Sequence, residues 1–443
     1  MGATTIEKIL ARTSGKSVVR PGEVAVCRPD IVIHIDLPMA IEGAWYRPRK
    51  VFDRERVAVI FDHAVPSPSI KDASAMAEGR RFAKEFGLKH LFDVGQHGIS
   101  HVVAAERGLT RPGELLVCAD SHTCASGGLN CAGRGTGIPD ALQAITRGVV
   151  WYLVTPTVRY EFKGELGPMV SGKDVFFHIA QTWGGHGNTS VEYGGPGLRA
   201  LAMSDRRTMA TMSAEIGAEF AIFDYDELTA DYLKGRLDRP ATPAHPDADA
   251  DYLDVRTVDL AQVEPYVILP DSVPRNGVRL SSFAKQIRID QAFIGSCANG
   301  LIEDLRVAAQ IVRGHKVAAG VRFIVTPGSQ AVYLQALREG LLETLIEAGA
   351  VVTNSTCGAC FGYHMGVLGP GEVCITASPR NFKGRMGSTE ASIYLGSPAT
   401  VAASALTGVI TDPRTLYVGG GLPPMTPADR QQAGSHTSSL PPM

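Results

Sequence analysis

The chain has no run long and apolar enough to span a bilayer; Val149–Val154 is of the size that fills a core. It also lacks a secretion signal, because MGATTIEKIL has neither a charged start nor an apolar centre. Ile6 stands where a myristoylation site needs Ser or Thr. Without a route to secretion, the sequons Asn188-Thr189-Ser190 and Asn354-Ser355-Thr356 read as chance. Excess charge is missing too: 43 Lys and Arg face 45 Asp and Glu, for a net charge of -2. No basic surface follows from that balance, so neither nucleic acid nor a membrane is an expected partner. A small anionic substrate must then be held by a few placed arginines. There is no internal repeat and no heptad array, which sets aside solenoids and coiled coils. Eight cysteines in a signal-free chain point to a reducing compartment, with the cytoplasm as the default.

What is there is an ordinary globular composition, 44% hydrophobic and 20% charged over 443 residues, which predicts two or three domains. Short β-branched runs alternate with amphipathic segments, the mark of α/β layering. Val57–Phe61, Leu115–Val117, Ala292–Ile294, Phe323–Val325, Ala350–Val352 and Val373–Ile375 read as buried strands. Ile302–Arg313 and Gln330–Glu347 carry helical spacing, and Ser397-Pro398 reads as a helix start. Pro240–Asp251 breaks the pattern and reads as an exposed loop or linker. The stretch 420–443, rich in Gly, Pro, Ser and Gln, is expected to be disordered.

The residues that follow the strands carry more information than the strands. Val57–Phe61 runs into Asp62-His63, and Leu115–Val117 into Asp120-Ser121-His122. Ala292–Ile294 leads to Cys297, Ala350–Val352 to Cys357, and Val373–Ile375 to Arg380. Ligands of open α/β sheets bind beyond the carboxyl ends of strands. Five such ends carrying His, Asp, Cys and Arg predict one shared site.

Cys357-Gly358-Ala359-Cys360 is a C-x-x-C pair, and Cys297 adds a third thiol. A thioredoxin-like pair is disfavoured, since no helix with an active-site aromatic frames it. Three thiolates without a fourth suit an iron–sulfur cluster with one open iron, able to act as a Lewis acid. His364, four residues after Cys360, would instead complete a Cys₃His zinc site. Spacing alone leaves the two readings even. Cys27, Cys118, Cys124, Cys131 and Cys374 stand in mixed or apolar contexts and read as packing residues.

ADSHT (Ala119–Thr123), GSCANGLIEDLR (Gly295–Arg306), CGACFGYHMGVL (Cys357–Leu368) and RNFKGRMG (Arg380–Gly387) together resemble the aconitase superfamily. The likeness runs from EKILAR near the N-terminus to ITDPR (Ile410–Arg414). It is strongest to large, cluster-binding subunits of the isopropylmalate isomerase and homoaconitase type. The resemblance implies three α/β/α-layered domains around a central cluster, expected at 1–129, 130–285 and 286–419, without the swivelling fourth domain. It implies a [4Fe–4S] cluster on Cys297, Cys357 and Cys360, and dehydration and rehydration of a small 2-hydroxy di- or tricarboxylic acid. Isopropylmalate is the first expectation; homoaconitate, citramalate and dimethylmalate are the others, and a zinc or RNA-binding non-catalytic relative is the alternative of another class.

Dehydrating a hydroxy acid needs a polarised leaving hydroxyl, an acid to protonate it and a base for the carbon-bound proton. A histidine paired with a carboxylate suits the acid role, because the carboxylate fixes its tautomer and stabilises imidazolium. The resemblance places Asp62, His63, His101, Asp120, His122 and Glu192 at catalytic positions. It assigns substrate carboxylates to Arg380 and Arg385, with Ser121, Asn188 and Asn299 as hydrogen-bond partners. Gly133-Arg134-Gly135-Thr136-Gly137 lacks the spacing of a dinucleotide fingerprint and reads as turn geometry beside the site. The chain departs from the family at Pro379 for Asn, Ala298 for Thr and Ala359 for Pro, and around His34–Glu42. These departures leave the cluster ligands intact and bear on the substrate. In the superfamily the carbon-acid base is a serine of the swivelling domain, so a small-subunit partner carrying that domain is expected.

Overall fold

In the computed structural model, residues 2–417 are described; the expected disordered tail at 420–443 lies outside them. Among the described residues, three mainly parallel sheets carry the α/β layers. The first has the order His90–Phe92, Val57–Ile60, Ile31–Ile35, Leu115–Cys118, Ala132–Gly135, all parallel. Its three central strands are buried on both faces, which is why they read as continuous apolar runs with no alternation. The second sheet, also parallel, orders Ala221–Phe223, Ser190–Gly194, Thr157–Lys163 and Asp254–Asp259.

The third sheet has seven strands. Gly277–Arg279 and Tyr266–Ile268 form an antiparallel edge, followed by Ser392–Leu395, Val373–Thr376, Gln291–Ile294, Arg322–Val325 and Val351–Val352 in parallel. All six strands expected from the sequence are present, with ends shifted by a residue. The first sheet takes its last strand from beyond residue 129, and the third takes two from before residue 286.

The expected helix Gln330–Glu347 is two helices, Gln330–Arg338 and Leu341–Ala348. Gly340 separates them in left-handed backbone (φ 71°), a break that apolar spacing does not reveal. The segment at Pro240–Asp251 forms no helix or ladder strand but is pinned down: Asn130 Nδ2 donates to the Ala244 carbonyl (3.0 Å) and Asp247 accepts the Ala3 amide (2.7 Å). No helix among the described residues is long and apolar enough to cross a membrane.

Both larger sheets are wound outward from a central strand. In the first, the chain leaves Ile31–Ile35 for Val57–Ile60 and His90–Phe92 on one side, then returns to Leu115–Cys118 on the other. In the third it leaves Gln291–Ile294 for Arg322–Val325 and Val351–Val352, then returns to Val373–Thr376. Each reversal opens a crevice beyond the carboxyl ends of the two flanking strands. Asp36 and Asp120 follow the strands of one crevice; Cys297 and Arg380 follow those of the other.

Gly133–Gly137, expected as a turn, supplies the fifth strand of the first sheet at Ala132–Gly135. A Cβ on Gly135 would lie 2.5 Å from the Asp120 carbonyl oxygen and 2.8 Å from Ser121 Cα. The Asp120–Ser121 turn therefore rests directly on glycine backbone. Gly135→Ala is expected to lower unfolding stability in urea by about 1–3 kcal/mol, the usual cost of overpacking a tight site.

Candidate active site

Asp36, at the end of Ile31–Ile35, organises the first crevice. Its Oδ1 accepts the amides of Asp62 (3.0 Å) and His63 (2.9 Å), and its Oδ2 that of Ala64 (2.8 Å). This fixes Asp62-His63 as the chain leaves its strand. Asp62 Oδ2 in turn accepts the Ser100 amide (2.9 Å) at the start of the helix Ser100–Glu106, which carries His101.

Three histidines meet carboxylates here. His101 Nε2 lies 2.8 Å from Asp120 Oδ1, which also accepts the His122 amide at 2.8 Å. His63 Nε2 approaches Asp120 Oδ2 at 3.8 Å, and its Nδ1 stands 3.7 Å from Asp62 Oδ1. His122 Nε2 lies 2.8 Å from Glu215 Oε1. The same oxygen accepts Arg380 Nε (2.7 Å), and Arg380 Nη1 donates to Ser121 Oγ (2.8 Å). Glu215 was not anticipated. It comes from a short 3₁₀ turn, Ser213–Ile216, that follows no strand end.

Burial pushes the Asp120 carboxyl up, but the His101 hydrogen bond and the charges of His101, His122 and His63 outweigh it. The net effect holds Asp120 well below the usual carboxylate range. Glu215 is lowered in the same way, its burial overcome by His122 and Arg380. At His63 burial disfavours the charge, yet Asp62, Asp36 and Asp120 together raise the imidazole above its ordinary value.

The cysteines approach from the third sheet. Gly295 (φ 152°) and Ser296 (φ 131°) put Cys297 at the end of strained backbone, a conformation that costs about 1–3 kcal/mol for a non-glycine residue. Ser296 Oγ offsets this by accepting the amides of Ala298 and Asn299, both at 3.2 Å. The loop of the other two cysteines is tied to the first sheet through its start: the Cys357 amide (3.1 Å) and Thr356 hydroxyl (2.6 Å) both donate to the Asp62 carbonyl, and the Cys360 amide donates to the Cys357 carbonyl (3.0 Å). Arg385 Nη2 lies 3.8 Å from Cys360 Sγ. The bond from Cys357, opposed by burial and helped by Arg385 and His122, lowers Cys360, while that bond and burial push Cys357 well above the ordinary thiol value, and burial with the Cys360 charge does the same at Cys297.

The donor set can be tested against both metal readings. His364 Nε2 lies 3.0 Å from the His63 carbonyl. Among the described residues no three His, Cys, Asp or Glu side chains come together to hold a single ion, so the Cys₃His zinc reading finds no ligand set. A larger anionic group fits better. A guanidinium faces Cys360, and the segments that carry the cysteines, His63 and Arg380 hold buried polar atoms without hydrogen-bond partners: His63 Nδ1, Arg385 Nε, Ser355 Oγ and Ser378 Oγ.

Two expected site residues are not brought to this group. Glu192 is fully buried elsewhere, accepting the Ile6 amide (3.1 Å) and the Tyr252 hydroxyl (2.8 Å), with Arg159 Nη1 at 3.8 Å. It pins the first helix, Thr5–Ser14, to the second sheet; Glu215 takes the carboxylate position against His122. Asn188 is exposed in left-handed backbone (φ 60°), and no hydrogen bond among the described residues joins it to the site. Asn299 lies beneath the cysteines, donating to Asp304 Oδ1 (3.0 Å) and accepting from Lys173 (3.0 Å). Of the departures, Ala298 and Ala359 are buried, and the Ala298 carbonyl accepts the Thr208 hydroxyl (2.6 Å). Pro379 joins Ser378 to Arg380 without an amide donor.

A fold wound around two facing crevices, with paired histidines across from three cysteines, is matched by a known family. The Aconitase family (aconitate hydratase) model covers residues 7–408, and the chain belongs to that family. By that membership it is a hydro-lyase, and an iron–sulfur cluster is implied. Similar proteins are the 3-isopropylmalate dehydratase large subunit of Mycolicibacterium smegmatis, 53% identical over 94% of this chain and 98% of that one. Large subunit 1 of the same enzyme from Pyrococcus abyssi is 43% identical over 94% and 100%. That of Clostridium kluyveri is 42% identical over 94% and 100%. Their naming as large subunits implies a small-subunit partner.

The two glutamates make opposite predictions. Glu215→Gln removes the anion between His122 and Arg380, and turnover is expected to fall about 10²-fold or more. Glu192→Gln should leave kcat unchanged. Burial, only partly offset by Tyr252 and the Ile6 amide, raises Glu192 to about 7. A raised carboxyl favours folding when protonated, so its contribution is full below about pH 4.5 and is lost as pH rises through 7. The glutamine cannot ionise. Unfolding monitored against pH should show the variant gaining on the wild type across that window, by on the order of 3 kcal/mol.

Proposed function

We propose that this chain is the cluster-binding large subunit of a 3-isopropylmalate-type dehydratase, which removes and re-adds water on a malate-type acid. The observation that carries this reading is the meeting of the two crevices. The first carries the His101–Asp120 and His122–Glu215–Arg380 sets, and its Asp62 carbonyl holds the Cys357 amide, while Arg385 reaches Cys360. Near-full-length similarity to three large subunits of that enzyme supports the substrate class.

In this reading Cys297, Cys357 and Cys360 hold a [4Fe–4S] cluster. When bound, such a cluster offers one open iron as a Lewis acid toward a hydroxyl or carboxylate oxygen. His101, its Nε2 fixed by Asp120, keeps Nδ1 as the ring nitrogen that exchanges a proton with the leaving hydroxyl. His63, raised by three carboxylates, holds positive charge at the floor of the crevice. Arg380 has two of its nitrogens committed, to Glu215 and Ser121, and presents its guanidinium in a fixed orientation to a substrate carboxylate. Arg385 Nε, buried without a partner, serves a second carboxylate.

The carbon-bound proton goes to a base on a small subunit that closes over the strand ends and excludes water. The three sheets frame the site, and their strands cross the expected unit bounds at 129/130 and 285/286. All eight cysteines are free, in keeping with work in a reducing cytoplasm.

The test is co-expression with a small subunit of swivelling-domain type and anaerobic assay on a panel of 2-hydroxy acids. 3-Isopropylmalate should give the highest kcat/KM; preference for citramalate, dimethylmalate or homocitrate would overturn the substrate assignment. Cys357→Ser should abolish activity and lower iron per chain, whereas unchanged iron would overturn the ligand set. Arg380→Lys should raise KM about tenfold or more by losing the planar fork.

A further inference from the structure

Lys173 lies at the second position of the helix Gly172–Trp183, which arises from the segment between the first two strands of the second sheet. Its side chain is completely buried. The ammonium donates to Asn299 Oδ1 (3.0 Å), to the Ser378 carbonyl (3.0 Å) and to the Ala377 carbonyl. All three of its protons are thus used, and all three acceptors are uncharged. Asp304 is reached only through Asn299, whose Nδ2 donates to its Oδ1.

This is an expensive arrangement. A buried cation ordinarily takes a carboxylate partner, and one at a helix N-terminus also opposes the helix dipole. Fold stability alone does not explain a lysine here, since a well-packed apolar residue would serve as well.

Its partners suggest what does. Asn299 is two residues from Cys297, and Ser378 is two residues from Arg380. One ammonium therefore joins the loop that presents a cysteine to the loop that presents the carboxylate-binding arginine. Burial lowers it to about 8 against the opposing influence of Asp304, Cys360 and Cys297. Two of the cysteines are thus among the groups that act on it, beside Asp304 and Asp174.

Resting on the function proposed above, we propose that Lys173 is a positioning residue that locks the Cys297 and Arg380 loops together and supplies the buried positive charge balancing the anionic group held by the cysteines. Loss of that charge should disfavour adding an electron to the cluster. Loss of its hydrogen bonds should let the Arg380 loop move.

The test uses the cluster-loaded complex with its small subunit. Lys173→Met removes charge and hydrogen bonds, Lys173→Gln removes charge but keeps an amide donor, and Lys173→Arg keeps charge. The cluster midpoint potential, measured by film voltammetry, should fall in the Met and Gln variants and stay near wild type in the Arg variant. KM for the hydroxy acid should rise about tenfold in Lys173→Met, with a smaller rise in Lys173→Gln. If the Met variant does not fold, Gln against Arg decides the charge role. Unchanged potential in the uncharged variants, with iron bound as in wild type, overturns this inference alone. A wild-type complex without iron overturns it together with the proposed function.

Discussion

The Asp62 carbonyl oxygen accepts both the Thr356 hydroxyl and the Cys357 amide, and through these two bonds the third sheet is registered on the first. The seam continues where Asn354 Nδ2 donates to the Val65 carbonyl (2.9 Å) and His364 approaches that of His63. Asp62 is able to serve as an anchor because Asp36 already holds the backbone of residues 62–64. Backbone bonds from Ile99 to Gly328 (2.8 Å) and from Gln330 to His97 (3.2 Å) extend the same seam, which brings the cysteine loop against the histidine crevice.

Within the seam, charge is arranged so that each ionised group has a counterpart. Asp120 serves His101 and, at longer range, His63; Glu215 serves His122 and Arg380. Because these groups are buried, each pair resists losing its partner more strongly than a surface pair would. The exceptions are Asp62 Oδ1, His63 Nδ1 and Arg385 Nε, which have no hydrogen-bond partner, and Arg385 reaches Cys360 through its Nη2.

Much of this was readable in the sequence because parallel strands buried on both faces leave apolar runs, and the polar residue after each run marks a crevice. Asp62, His63, Asp120, His122, Cys297 and Arg380 were found that way. Asp36 obeys the same rule after IVIHI and could have been found by it. Glu215 could not: it sits in a 3₁₀ turn, and its partners are 93 and 165 residues away in the chain. Glu192 rests on the family resemblance alone; in the fold it satisfies the amide of Ile6 near the start of the first helix, a contact that spans 186 residues and leaves no local pattern. Lys173 gave no signal either, since a lysine near a helix start is usually a solvated one.

Mössbauer spectroscopy of the anaerobically prepared, ⁵⁷Fe-enriched chain tests the central claim most directly. The account predicts a four-iron spectrum in which one iron is distinct and changes its parameters when hydroxy acid is added. A sample that binds zinc without iron, or a cluster whose four irons ignore the substrate, would contradict it.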